Sequence, residues 1–170
     1  MLGFYEDFPV NIHGVDAFAT PLSSRRLQRR LIEVLQHINS RTFSFEEVAC
    51  PTVPECTIIF EVGLAEAKNF SYIDEEETRK VLSALRKAPF QTMDLFCVVR
   101  YYKEVAEKKT PLKFDYYLTR VVFGKNSVEI QVFHERGPRY ISPEDIVTFF
   151  VNEVNKTFSR RTLKRIEVET

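Results

Sequence analysis

Tryptophan is absent from this chain and glycine occurs only five times. Its aromatic bulk must therefore come from Phe and Tyr, and few positions are free to take left-handed backbone conformations. Long apolar runs are missing as well. The longest, such as Leu95-Phe96-Cys97-Val98-Val99, falls far short of the ~20 residues that cross a bilayer. Glu6 and Asp7 stand where a secretory leader carries a basic region. These absences predict a cytoplasmic protein with no membrane partner. Cysteine is scarce and odd in number, at Cys50, Cys56 and Cys97, which is no disulfide framework. Cys97 lies in an apolar strand pattern and reads as a small core residue. Cys50 and Cys56 flank Pro-Thr-Val-Pro-Glu, which is not a zinc spacing, and a redox pair is the one bridge this pattern leaves open.

A net charge is missing too. The 24 Lys and Arg balance 24 Asp and Glu, so no global field draws the chain to nucleic acid or anionic lipid. Locally the balance breaks: residues 1–85 hold 8 basic and 13 acidic groups, and residues 86–170 hold 16 and 11. Such halves can neutralise each other within the fold or steer a second molecule into register. Catalytic signatures are the last absence. There is no glycine-rich phosphate loop and no Gly-X-Ser-X-Gly elbow, and His13, His37 and His134 lack paired ligand spacing. No cofactor and no metal are expected.

What is present is an ordinary globular composition, 44% hydrophobic and 28% charged, with 15 Phe and 7 Tyr in 170 residues. That length predicts one domain over residues 1–170. Helical periodicity predicts helices over 24–39, 75–87 and 143–158, with Ser142 capping the last and Pro143 at its first position. Asp74 and Glu77 have capping-box spacing for the second. Strands are expected over 10–20, 57–65, 92–102, 112–123 and 127–134, with a sixth around 165–169 and a mobile charged connection over 103–111. The expectation is an α+β fold: a mainly antiparallel sheet of about five to six strands with three helices packed on one face. Tyr72-Ile73-Asp74-Glu75-Glu76-Glu77 aligns with Tyr140-Ile141-Ser142-Pro143-Glu144-Asp145 at an offset of 68 residues. Duplication would give two similar halves, about 1–88 and 89–170, related by a pseudo-twofold axis.

Four surfaces carry functional expectations. Strand alternation assigns Phe96, Val98, Arg100, Tyr102, Tyr117, Thr119, Val121 and Phe133 to a sheet face that the helices leave open. So large an aromatic area predicts a protein interface, through self-association or a place in a complex. The first helix opens Ser23-Ser24-Arg25-Arg26 and continues to Arg29 and Arg30, cations that oppose the macrodipole unless an anion is near. Either a phosphorylated ligand or internal acids such as Glu6, Asp7 or Asp16 can supply that charge. Lys156, Arg160, Arg161, Lys164 and Arg165 form a basic tail suited to an acidic partner or to RNA. Finally, His134, Glu135 and Arg136 at a strand end have the residue types for proton transfer beside an anion, although neighbouring strand residues face opposite ways. The sequence thus ranks an interaction or regulatory module first, a binder of RNA or a phosphorylated ligand second, and an enzyme around His134 third.

Overall fold

Capping residues set the helix starts. The computed structural model describes residues 3–166 and contains α1 (Ser24–Asn39), α2 (Phe45–Val48), α3 (Glu75–Lys87) and α4 (Pro143–Lys156). The Ser23, Asp74 and Ser142 side chains accept from the N–H groups of Arg26, Glu77 and Asp145 at 3.3, 2.8 and 3.1 Å, satisfying donors that a helix start leaves orphaned. No helix among the described residues is long and apolar enough to cross a membrane.

The strands are β1 (Gly3–Phe4), β2 (Gly14–Ala19), β3 (Thr42–Ser44), β4 (Cys56–Glu66), β5 (Asn69–Tyr72), β6 (Thr92–Val105), β7 (Lys108–Gly124), β8 (Ser127–Arg136) and β9 (Lys164–Arg165). They form one antiparallel sheet in the order β1-β5-β4-β6-β7-β8-β2-β9, with β3 beside β4. Among the described residues, nine strands and four helices correct the expectation of five to six strands and three helices. The extra strands β1, β3 and β5 are two to four residues long and the extra helix α2 is four, too short to register a periodicity. The connection expected to be mobile is instead the tip of a β6–β7 hairpin. Ala106 and Glu107 have φ of 49° and 65°, the pair of positive values that a two-residue hairpin turn requires. The strand expected over 165–169 is seen as β9; its residues from 167 on lie outside the described residues.

The back of the sheet and the helices enclose the core. Ile58, Phe60, Val62 and Leu64 of β4, Leu95, Cys97 and Val99 of β6, and Val128, Ile130 and Val132 of β8 meet Leu31, Leu35 and Ile38 of α1 and Ile146, Phe149 and Phe150 of α4. At its centre Phe43, Phe60 and Phe149 pack with ring centroids 5.0–5.7 Å apart. All three cysteines are free, and burial pushes the Cys97 thiol up. The third helix departs from expectation, since α3 packs along α1 rather than lying on the sheet. Two side-chain amides, Gln28 buried and Asn39 half-buried, secure this arrangement. Gln28 exchanges two hydrogen bonds with the Phe90 backbone, and Asn39 bonds Val62 and the Ile73 carbonyl. The two segments related by the 68-residue offset share a strand and a capped helix but diverge between them: β5 follows β4, whereas a strandless loop follows β8.

The expected capping box at α3 forms only by half. Asp74 accepts from Glu77, but the Glu77 carboxyl turns inward and is 7% exposed, with Oε1 unpartnered among the described residues. Burial, and then the neighbouring Glu66, raise its pKa above the usual carboxylate value. A raised folded-state value means this group is harmless below the unfolded carboxyl range and opposes folding as pH rises through it. Glu77→Gln is therefore expected to stabilise the protein near pH 7 and to change little near about pH 4. Urea unfolding at both pH values measures this, and an equal effect at the two would show that ionisation is not the cause.

Candidate binding groove on the sheet face

Register decides which side chains share a face. Phe96 pairs Leu118, which pairs Phe133, while Val98 pairs Tyr116 and Arg100 pairs Phe114. These residues, with Tyr102, line the front of the sheet, away from the helices. Cys97 pairs Tyr117, Leu95 pairs Thr119 and Met93 pairs Val121, and these line the back. The front-face set expected from sequence is thus corrected at Tyr117, Thr119 and Val121, which are 0–3% exposed beneath the helices. Both alternations of β7 are apolar, and taking the other one as the inner face exchanges its sides. Leu118, Tyr116 and Phe114 hold the front positions in their place.

Much of this front is covered by the chain itself. Residues 5–13 form a strap from β1, paired to β5 at one side of the sheet, to β2 at the other. The Tyr5 hydroxyl donates to Asp94 Oδ2, whose carboxylate receives both Nε and Nη2 of Arg120 at 2.7 and 2.8 Å. The Arg120 guanidinium lies 4.7 Å over the Phe8 ring. Burial, and then the Asp94 hydrogen bond, push the Tyr5 hydroxyl up. At the far end the His13 ring stacks on Phe133 at 4.6 Å, and its Nδ1 accepts from the His134 N–H.

Strap and sheet bound a groove of about 450 Å³. Phe70, Phe96, Leu118 and Phe133 form its floor, Tyr5 and Pro9 belong to the strap wall, and Glu6, Asp7 and Glu135 bring carboxylates to it. The rings of Tyr5, Phe70, Phe96, Tyr116 and Phe114 continue as an unbroken series with centroids 4.8–5.4 Å apart. Beyond the groove Arg100 is held by Glu61 at 2.7 Å and lies over Phe114. That ion pair with Glu61 strengthens the hold of Arg100 on its proton.

His134, Glu135 and Arg136 do not converge. His134 turns to the back of the sheet, where Nε2 lies 2.8 Å from Oδ1 of Asp115, a carboxylate with no exposed surface. Asp115 also accepts from the Tyr101 hydroxyl at 2.5 Å and from the N–H groups of Arg139 and Tyr140 at 2.7 and 3.0 Å. Tyr117 donates to the Ile141 carbonyl. Burial pushes both tyrosine hydroxyls up, keeping them protonated donors. Gly137 permits this closure, since its φ is 113° and an added Cβ would lie 2.4 Å from Asp115 Oδ1 and the Phe114 carbonyl. The arrangement is a lock that fixes the loop between β8 and α4. Asp115 stands alone as an acid among aromatic neighbours in sequence, which is the clue to it.

The basic residues fall into different roles. Ser23 is spent as the α1 cap, Ser24 accepts from Gln28, and Arg25 donates to the Leu85 carbonyl at the C-terminal end of α3. Arg26 and Arg29 remain exposed. The internal acids weighed as their counterions are elsewhere: Glu6 and Asp7 lie on the strap, and Asp16 binds Arg165 at 2.6 Å. Lys156 pairs with Glu153, Arg160 and Arg161 are exposed, and Lys164 and Arg165 form β9 beside β2. The tail is thus divided between two places.

Asp115→Asn is expected to cost about 3–5 kcal/mol, because it puts an amide where four donors meet a carboxylate. His134→Ala removes one donor of four and should cost about 1–3 kcal/mol. Denaturant titration compares them; a near-native midpoint for Asp115→Asn would show that the carboxylate is not the anchor. Against known proteins, the chain matches no protein-family model, no curated protein and no solved structure.

Proposed function

We propose that this protein is an interaction module that receives an apolar, positively charged stretch of a partner protein in the groove between strap and sheet. The observation that carries this reading is an aromatic floor bordered by acids. Phe96 and Phe133 offer ring surface, and Glu6, Asp7 and Glu135 form no ion pair among the described residues. Aromatic surface favours apolar side chains and attracts cations to the ring faces. Unpaired carboxylates around it select Lys or Arg and repel acidic sequences. A groove of about 450 Å³ falls in the range that takes a small ligand or a few side chains of a peptide.

Self-association, expected from an open greasy face, loses much of its physical reason, because the strap supplies the cover that a second copy would have provided. The proposal is accordingly a heterologous contact. Display selection from a random peptide library tests it. Selected peptides should combine Lys or Arg with aliphatic or aromatic residues, and Phe133→Ser should abolish their binding. Reversing the exposed charges with Glu6→Lys and Asp7→Lys should weaken them more than about tenfold. Peptides without cationic bias, or binding indifferent to the charge reversal, would refute the reading.

A further inference from the structure

We propose that a second surface, formed by α1 and the segment after α4, binds single-stranded RNA. Arg26, Arg29 and Arg30 stand at helical spacings of three and four and so share one side of α1. With Phe158 they line a groove of about 280 Å³, and the Arg30 guanidinium lies 4.9 Å over the Phe158 ring. Glu33 is the one acid lining it, engaging Arg29 at 3.3 Å and Arg30 at 3.7 Å. Two guanidinium groups thus share one carboxylate, and Arg26 has no acidic partner among the described residues. A second groove, of about 240 Å³, shares Arg30 and Glu33 and continues the track to Arg41 and Lys156, with Glu153 as its other acid. Arg160 and Arg161, both exposed, follow Phe158 after Ser159.

Folding does not require this concentration of charge. Cations in the N-terminal half of a helix oppose its dipole, and the cap and the contact with α3 are already provided by Ser23 and Arg25. The helix N-terminus is therefore not the site; the side of α1 is. Guanidinium groups bind phosphate oxygens bidentately, which accounts for the arginines. The Arg30 guanidinium, backed by the half-buried Phe158 ring, is a flat surface on which an unstacked base can lie, the combination that single-stranded RNA uses. A phosphorylated peptide would engage the arginines and leave that surface without a role. At the far end of the track Glu47 engages Arg41 at 3.7 Å, Glu153 engages Lys156 at 2.8 Å, and Asp74 and Glu75 line an adjoining groove with Glu33 and His37, so the uncompensated positive charge lies at the Arg26, Arg29 and Arg30 end beside Phe158.

Fluorescence anisotropy with a labelled oligouridine of about twelve nucleotides, and with an abasic strand of equal length, tests the inference. Oligouridine should bind at low salt, with log K falling against log salt at a slope of about −2 to −3.5 for three to five phosphate contacts. Replacing the exposed pair with Arg26→Ala and Arg29→Ala should weaken binding at least about tenfold and flatten the slope by about 1.4. Phe158→Ala, checked for folding by circular dichroism, should weaken oligouridine about tenfold and leave the abasic strand unchanged. The inference is overturned if oligouridine is not bound at low salt, or if the arginine pair is dispensable. Equal affinity of the native protein for the abasic strand, or tighter binding of a phosphoserine peptide, would overturn it as well.

Discussion

A sheet that is apolar on both faces needs two covers, and this requirement organises the molecule. An antiparallel sheet normally turns one polar face to water. Here β6, β7 and β8 place Phe96, Val98, Phe114, Tyr116, Leu118 and Phe133 on the face away from the helices. The residues before β2 provide the second cover by crossing several strands and tying themselves to Asp94, Arg120 and Phe133. A single extended segment is narrower than the face it crosses. The uncovered remainder is the aromatic groove, so the site is a direct consequence of covering a wide sheet with a thin strap.

Helices were legible in this sequence because cap and period agree. Ser23, Asp74 and Ser142 mark the starts, and α1 and α3 span the residues that the apolar spacing indicates. The sides of β7 were not legible. Phe114, Tyr116 and Leu118 alternate with Asp115, Tyr117, Thr119 and Val121, so a period of two is present on either side and hydrophobicity does not say which is inner. The lone acid among them carries the missing information. Asp115 is fully buried and needs several donors, and those donors, Tyr101, His134 and the backbone at 139–140, all belong to the helix-covered side of the sheet. The strap was illegible for another reason. Its contacts join residues more than sixty positions apart, such as Tyr5 with Phe70 and Asp94, and no local pattern records them.

Charge of each sign is gathered in a separate place. The neutral total conceals an acidic front groove and a basic strip along α1, placed on opposite sides of the sheet. Pairs such as Arg120–Asp94 and Arg100–Glu61 neutralise charge on the front face itself. By contrast Glu33 is shared between two arginines, and Glu6, Asp7 and Glu135 have no ion pairs among the described residues. Exposed pairs contribute little to stability, so unpaired groups of one sign gathered at a groove are better explained by what they meet than by what they hold together.

The lock around Asp115 has the residue types of a catalytic dyad and none of the freedom. A carboxylate offers about four lone-pair directions, and Tyr101, His134, Arg139 and Tyr140 occupy four. Nothing is left to accept a proton from a substrate. What the lock does is structural, and it reaches the groove through the strand beside it. Tyr117 pairs His134 while Tyr116 pairs Arg136, so Glu135 is the extra residue of a bulge. Ordinary alternation turns His134 back to Asp115 and Glu135 to the groove lined by Phe96 and Phe133, and the bulge begins only after the lock has fixed His134. A buried hydrogen bond on one side of the sheet and a groove-lining carboxylate on the other thus belong to adjacent residues of one strand.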